Sequence, residues 1–143
     1  MTNQKPLDAV SFIMPVLNEE KHLEAAITSI FEQKGMKKAD IEVILALGPS
    51  TDGTNQVAER LKSSFSVKLV PNPTGKTPAG LNLVIREAKN PVVVRVDAHS
   101  ELSPDYTSIA LRVLNETDAA NVGGVMNAQG LDRKSTRLNS SHA

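Results

Sequence analysis

The stretch Asn90-Pro91-Val92-Val93-Val94-Arg95-Val96-Asp97-Ala98-His99-Ser100-Glu101 decides how the rest of the chain is read. Val92 to Val96 is too branched for a surface helix and too short for a membrane span. It reads as a strand buried on both faces, as in a parallel sheet. Side chains two apart in an extended chain share a face, so Asp97 and His99 are expected to project together beyond the strand's carboxyl end. In open α/β sheets that edge is where ligands bind. A carboxylate beside an imidazole suits a divalent cation whose remaining ligands come from elsewhere, such as phosphate oxygens. Arg95 falls on the same face and, if buried, needs an anion: Asp97, a ligand phosphate or another carboxylate.

Upstream, strand and helix patterns alternate. Val10–Met14 reads as a first strand closed by Pro15, and Asn18-Glu19-Glu20 as the start of a helix with Leu23, Ala26, Ile27, Ile30 and Phe31 on its apolar face and Gly35 at its end. Ile41–Leu47 is a second strand. Gly48-Pro49-Ser50-Thr51-Asp52-Gly53-Thr54 is a turn rich in capping residues, followed by a helix to about Phe65. Val67–Val70 is a third strand, 71–78 a loop and Ala79–Ala88 a third helix, broken by Asn90-Pro91. Ser103 and Pro104 read as the cap and first position of a fourth helix, and Asn121–Val125 begins a fifth strand. Four alternations predict an α/β fold: a mostly parallel, Rossmann-like sheet with helices on both faces. Right-handed crossovers bring Asn18-Glu19, Ser50-Thr51-Asp52 and Asp97-Ala98-His99 to one edge.

Composition narrows the function. The 143 residues suffice for one domain, at 40% hydrophobic and 22% charged. Zero formal net charge and 3% aromatics point away from a nucleic-acid partner. Without cysteine there is no thiolate metal site, cysteine nucleophile or disulfide. With no signal-like core, a cytoplasmic setting is expected.

Residues 1–9 read as a flexible leader and 10–131 as the folded part. Residues 132–143 resemble the translation of a sequencing adapter and are read as a non-native tail, against the alternatives of a disordered basic tail or a nucleic-acid-binding arm. Without that tail, which holds three basic residues and one acidic, the balance turns mildly acidic.

Several motifs admit a plain structural role as well as a functional one. Asn18 and Glu19 can simply begin a helix, or expose backbone N–H groups to a ligand. Ser50, Thr51 and Asp52 can cap a turn or meet a nucleoside. Gly75-Lys76-Thr77 is not a P-loop, because the glycine required five residues earlier is Val70. Lys76 remains either a diphosphate contact or a solvated loop lysine. No Gly-x-Gly-x-x-Gly follows the first strand, against a dinucleotide-binding domain.

Taken together, 10–20, Ser50-Thr51-Asp52-Gly53-Thr54, Asn72-Pro73-Thr74-Gly75-Lys76, Ala79-Gly80-Leu81-Asn82 and Val94-Arg95-Val96-Asp97-Ala98-His99 resemble the amino-terminal half of a family 2 glycosyltransferase of GT-A fold. With Asn121-Val122-Gly123-Gly124, the sequence is most similar to exopolysaccharide glucosyltransferases of the succinoglycan-assembly type. The resemblance covers about residues 10–130 and implies a truncated chain. It also implies a nucleotide-sugar donor, Mn²⁺ or Mg²⁺ on the diphosphate, a saccharide or lipid-linked acceptor and a single inverting displacement.

Asp97 and His99 match the family's Asp-x-Asp metal motif, with histidine in the last place. Pro15, Asn18 and Glu19 match its first nucleotide-contacting turn; Ser50, Asp52, Lys76 and Arg95 complete the implied donor site. Leu47 and Gly48 stand where the family usually has base-contacting aspartates, which leaves the nucleobase open. The general base, the acceptor site and any membrane helix of the parent are expected beyond the fifth strand. A nucleotidyltransferase, which usually opens with a glycine-rich loop, and a non-catalytic nucleotide-sugar-binding module are the rival readings.

Overall fold

The computed structural model describes residues 7–117 and two further strands, 125–128 and 136–139. Four parallel strands form the main sheet: β1 (Val10–Val16), β2 (Ile41–Leu47), β3 (Val67–Pro71) and β4 (Val92–Arg95), in spatial order β3-β2-β1-β4. β1 pairs along its whole length with β2, and its first half with β4, Val10 lying opposite both Ile41 and Val92. The chain thus builds outward from β1 to β3, then crosses back to the other side of β1.

Alternation along β1 and β2 explains the layering. Phe12, Met14, Val43 and Leu45 face one side with Leu23, Ala26, Ile27 and Ile30 of α1 (Leu23–Phe31) and Ala58 and Leu61 of α2 (Thr54–Ser64). Leu111 of α4 (Tyr106–Glu116) joins the same cluster. Ile13, Ile44 and Ala46 face the other side, where Val84 of α3 (Thr77–Ile85) covers them. Phe31 and Phe65 stack at 4.8 Å between ring centres, closing the α1–α2 layer. The α/β class and the helices on both faces stand as expected.

Three departures concern the elements that carry the site. First, β4 is the edge strand of the main sheet among the described residues, not a strand buried on both faces: Val93 is 37% exposed. Branched side chains make a strand favourable whether or not both faces are covered, so composition does not separate the two cases.

Second, α1 starts at Leu23, not at Asn18. Asn18 has a left-handed backbone (φ 53°), and the amides of Asn18, Glu19 and Glu20 donate to the side chains of Ser50, Thr54 and Asp52. Those donors serve the neighbouring loop rather than a first helical turn. At the other end α1 stops at Phe31, with Glu32 as C-cap, before Gly35.

Third, α4 begins at Tyr106, so Ser103 and Pro104 lie before it and Asp105 is its N-cap residue. Buried Gln33 caps the helix from outside. Its Oε1 accepts from Thr107 N at 2.9 Å and Thr107 Oγ1 at 2.6 Å, while its Nε2 donates to Ser103 O at 2.8 Å.

Smaller differences are of length. β1 runs through Pro15 to Val16, and β3 ends at Pro71. α3 spans Thr77–Ile85 with Pro at its start, ahead of the expected Ala79–Ala88. Residues 121–124, where a fifth strand was expected to begin, lie outside the described residues. β5 (Val125–Ala128) pairs antiparallel with β6 (Thr136–Asn139) in a separate two-stranded sheet.

Gln33 is the most exacting tie between α1 and α4. Replacing it with alanine strands the Thr107 amide and hydroxyl in a buried site, where each unsatisfied group costs on the order of 1–3 kcal/mol. Urea unfolding of Gln33→Ala is expected to show a loss of about 2 kcal/mol or more, with an unchanged slope.

Candidate active site

A cleft of about 320 Å³ opens at the carboxyl ends of β1 and β4. Pro15, Val16 and Leu17 form one wall; Asn72, Gly75 and Thr77 another; Arg95, Asp97, Ala98 and His99 the third, with Glu19 beside them. Of the predicted site residues, the structure therefore brings Pro15, Glu19, Arg95, Asp97 and His99 around one cavity.

The local geometry of Asp97 and His99 differs from an extended strand. β4 ends at Arg95, and the chain turns through Ala98 and His99, with Ser100 N donating to Asp97 O at 3.0 Å. Alternation consequently does not govern the pair, although both residues line the cleft. Buried Val96 and Ala98 fix the turn on either side. Arg95 Nη2 lies 3.5 Å from Asp97 Oδ1, with side chains 53% and 38% exposed. Arg95 is thus not the buried arginine that the sequence suggested, because an edge strand leaves its outer face in water. At that exposure the ion pair is worth little for stability, which leaves the guanidinium available to an anionic ligand. His99 Nδ1 lies 3.0 Å from Glu19 Oε2 instead of meeting Asp97.

The other predicted residues build the rim. Asn18 Oδ1 accepts from Thr51 N at 2.8 Å, and Asn18 N donates to Ser50 Oγ at 2.9 Å. Asp52 accepts from Thr54 N at 2.9 Å and from the Thr54 hydroxyl. The Glu20 carboxylate accepts from Gly53 N at 2.7 Å. Asn18, Ser50 and Asp52 do not line the cavity; their polar groups clasp two loops together. Lys76 is exposed at the N-cap of α3, between the lining residues Gly75 and Thr77.

Leu17, Asn72 and Thr77 were not singled out as site residues. Asn72 is buried, donates Nδ2 to Lys76 O at 3.0 Å and accepts from Thr74 Oγ1 at 3.2 Å. The signal for it was the closely punctuated Pro71-Asn72-Pro73-Thr74-Gly75, a loop shaped by its own side chains.

Among the described residues no three His, Cys, Asp or Glu side chains are grouped for a metal ion. Asp97 and His99 supply one oxygen and one nitrogen donor at the same cleft. That set fits Mn²⁺ or Mg²⁺ held by two protein groups with its other positions filled by water and ligand oxygens. No described helix is long and apolar enough to cross a membrane.

Comparison with known proteins identifies the family. The model of the family described as "Glycosyl transferase family 2" matches residues 11–142. The chain belongs to that family. It is 33% identical over 97 residues to the succinoglycan biosynthesis protein ExoA of Rhizobium meliloti, covering 66% of this chain and 29% of that protein. A mannosyltransferase of Pyrobaculum calidifontis, solved with GDP-Man and Mn²⁺, superposes with a TM-score of 0.64 at 28% identity, over 84% of this chain and 38% of its own.

Staphylococcus aureus TarS 1-349, solved with UDP, superposes at 0.69 and 24% identity, over 76% and 32%. The fold is GT-A, and the chain spans well under half the length of these relatives. Family membership sets the nucleotidyltransferase reading aside.

The clasp makes one pH-dependent contribution testable. The Thr54 hydroxyl hydrogen bond is the main reason that the Asp52 carboxyl sits below its ordinary value. A depressed carboxyl contributes stability that is fully present above its unfolded value, near 3.9, and lost as pH falls through the folded value. The melting-temperature gap between wild type and Asp52→Asn is expected to be full at about pH 6 and to close below about pH 4.

Proposed function

We propose that this chain carries the donor half of a glycosyltransferase that moves a sugar from a nucleotide-sugar donor to a saccharide or lipid-linked acceptor in polysaccharide synthesis. The observation that carries the reading is the convergence of Arg95, Asp97, His99 and Glu19 on one cleft at the strand ends. That edge is where open α/β sheets place nucleotides. The similarity to the succinoglycan biosynthesis protein favours an exopolysaccharide setting. The whole protein would work at the cytoplasmic face of the membrane, where lipid-linked acceptors are displayed.

In this reading Asp97 and His99 hold Mn²⁺ or Mg²⁺, which when bound neutralises charge on the departing diphosphate. Arg95 adds a fixed positive charge at the same wall, and Lys76 a mobile one at the rim. Pro15 and Leu17 give the cleft an apolar wall for the nucleoside. Asn18, Ser50 and Asp52 contribute by holding that wall in place. The acceptor hydroxyl attacks the anomeric carbon from the face opposite the diphosphate, so the C–O bond to the leaving group breaks as the new one forms and configuration inverts. The proton goes to a carboxylate base supplied from beyond the fifth strand.

Titration calorimetry of UDP-glucose and of GDP-mannose into the chain, with and without Mn²⁺, tests this reading. Binding that requires Mn²⁺ and falls at least about 100-fold in Asp97→Ala/His99→Ala is the expected result, matching the loss of both first ligands. Equal binding by wild type and a double variant shown folded by circular dichroism would refute the site. A chain that binds donor but transfers no sugar, even as part of the full-length protein, would favour a non-catalytic binding module.

A further inference from the structure

We infer that Glu19 is a positioning residue for His99, fixing the imidazole with its proton on Nδ1 and its free lone pair on Nε2. The inference rests on the proposed metal role of His99 but assigns Glu19 a task distinct from nucleotide contact.

Glu19 is the better anchored of the two residues. Its amide donates to Thr54 Oγ1 at 2.8 Å, and its carbonyl accepts from His22 N at 3.1 Å and Leu23 N at 3.0 Å. Thr54 is itself fully buried and bonded to Asp52. The Glu19 side chain is 20% exposed, against 59% for His99. A largely covered carboxylate therefore rises from a fixed backbone point and meets an exposed imidazole at 3.0 Å.

An ionised carboxylate only accepts hydrogen bonds, so the nitrogen facing it must be the donor. In the neutral ring that leaves Nε2 unprotonated, as a metal ligand must be. Asp97 cannot do this work: its recorded partner is Arg95. Glu19 Oε2 is engaged by His99 Nδ1 at 3.0 Å, which sets the carboxylate behind the ring. The geometry points to a carboxylate–imidazole pair behind the ligand, of the kind that orients metal-binding histidines. An Asp-x-His motif needs such a partner where Asp-x-Asp does not, because only the imidazole has two inequivalent ring nitrogens.

The test is nitrogen-15 NMR of the histidine side chains in the metal-free chain at about pH 8.5, where a histidine is neutral. His99→Gln identifies the signals. Wild type and Glu19→Gln, whose amide oxygen still accepts, are expected to show His99 with the proton on Nδ1; Glu19→Ala is expected to show a tautomer mixture. Mn²⁺ affinity, read by the electron paramagnetic resonance of the free ion, is then expected to fall about 10-fold or more in Glu19→Ala and no more than about threefold in Glu19→Gln.

A wild-type ring protonated on Nε2, or one unchanged by Glu19→Ala, would overturn the inference. So would equal losses of Mn²⁺ affinity in the two variants, which would make Glu19 a ligand. A Glu19-dependent tautomer in a chain that binds no Mn²⁺ would support the positioning role and refute the metal reading.

Discussion

The clasp between the loop after β1 and the loop after β2 is the constraint on which the site depends. Two loops at the same sheet edge would ordinarily move independently, since their backbone groups have no ladder to join. Here five backbone amides bond across the gap: those of Asn18, Glu19 and Glu20 to Ser50, Thr54 and Asp52, and those of Thr51 and Gly53 back to Asn18 and Glu20; the Thr51 hydroxyl adds a sixth bond to Asn18. The exchange is reciprocal, with each loop giving amides and receiving them on side-chain oxygens. It explains the left-handed Asn18, a conformation that asparagine tolerates better than most residues. It also explains why oxygen-bearing side chains, Asn18 and Glu20 on one loop and Ser50, Asp52 and Thr54 on the other, face across the gap.

Through this clasp the interior of the fold reaches the cleft. Buried Thr54 begins α2, whose Ala58 and Leu61 sit in the core. Thr54 Oγ1 receives the Glu19 amide, and Glu19 reaches His99. A position set by apolar packing is thus relayed over three residues to an exposed ring on β4's turn. Among the described residues β4 pairs with β1 alone, and only as far as Arg95. Past that point, Val96 N still donates to Ile13 O at 3.0 Å, and Glu19 takes over the next contact.

How much of this could be read in the sequence follows from the range of each interaction. Ile41–Leu47 was legible to the residue because its apolar run is bounded by polar turns on both sides. The approach of Asn18-Glu19, Ser50-Thr51-Asp52 and Asp97-Ala98-His99 was legible because crossover handedness is a rule of topology, not of side chains. The roles of Asn18, Ser50 and Asp52 were not. A hydroxyl or carboxylate that caps a turn looks the same as one that binds a nucleoside, and the choice depends on partners some 32 positions away. Gln33 illustrates the same limit: no local pattern marks it as the cap of a helix 74 positions downstream. The alternation applied to Asp97 and His99 failed for a different reason. It assumes that the strand continues, and the strand ended two residues earlier.

Packing likewise explains the glycine at position 48. A Cβ on Gly48 would lie 3.0 Å from Leu17 Cδ1, 3.2 Å from Gly75 Cα and 3.3 Å from Val16 O. Two of those three neighbours are backbone and cannot rotate away. Gly75 is in turn confined to glycine by its left-handed backbone (φ 70°) and by Pro49 packed at 3.1 Å from its Cβ position. The loop carrying Asn72 and Gly75 therefore leans directly on the end of β2, with Asn72 N bonded to Leu47 O at 2.7 Å. The glycine at 48 and the inward loop are one feature, not two. An acid at position 48 would press on Gly75 Cα and Val16 O, and so displace the loop whose Asn72, Gly75 and Thr77 line the cleft.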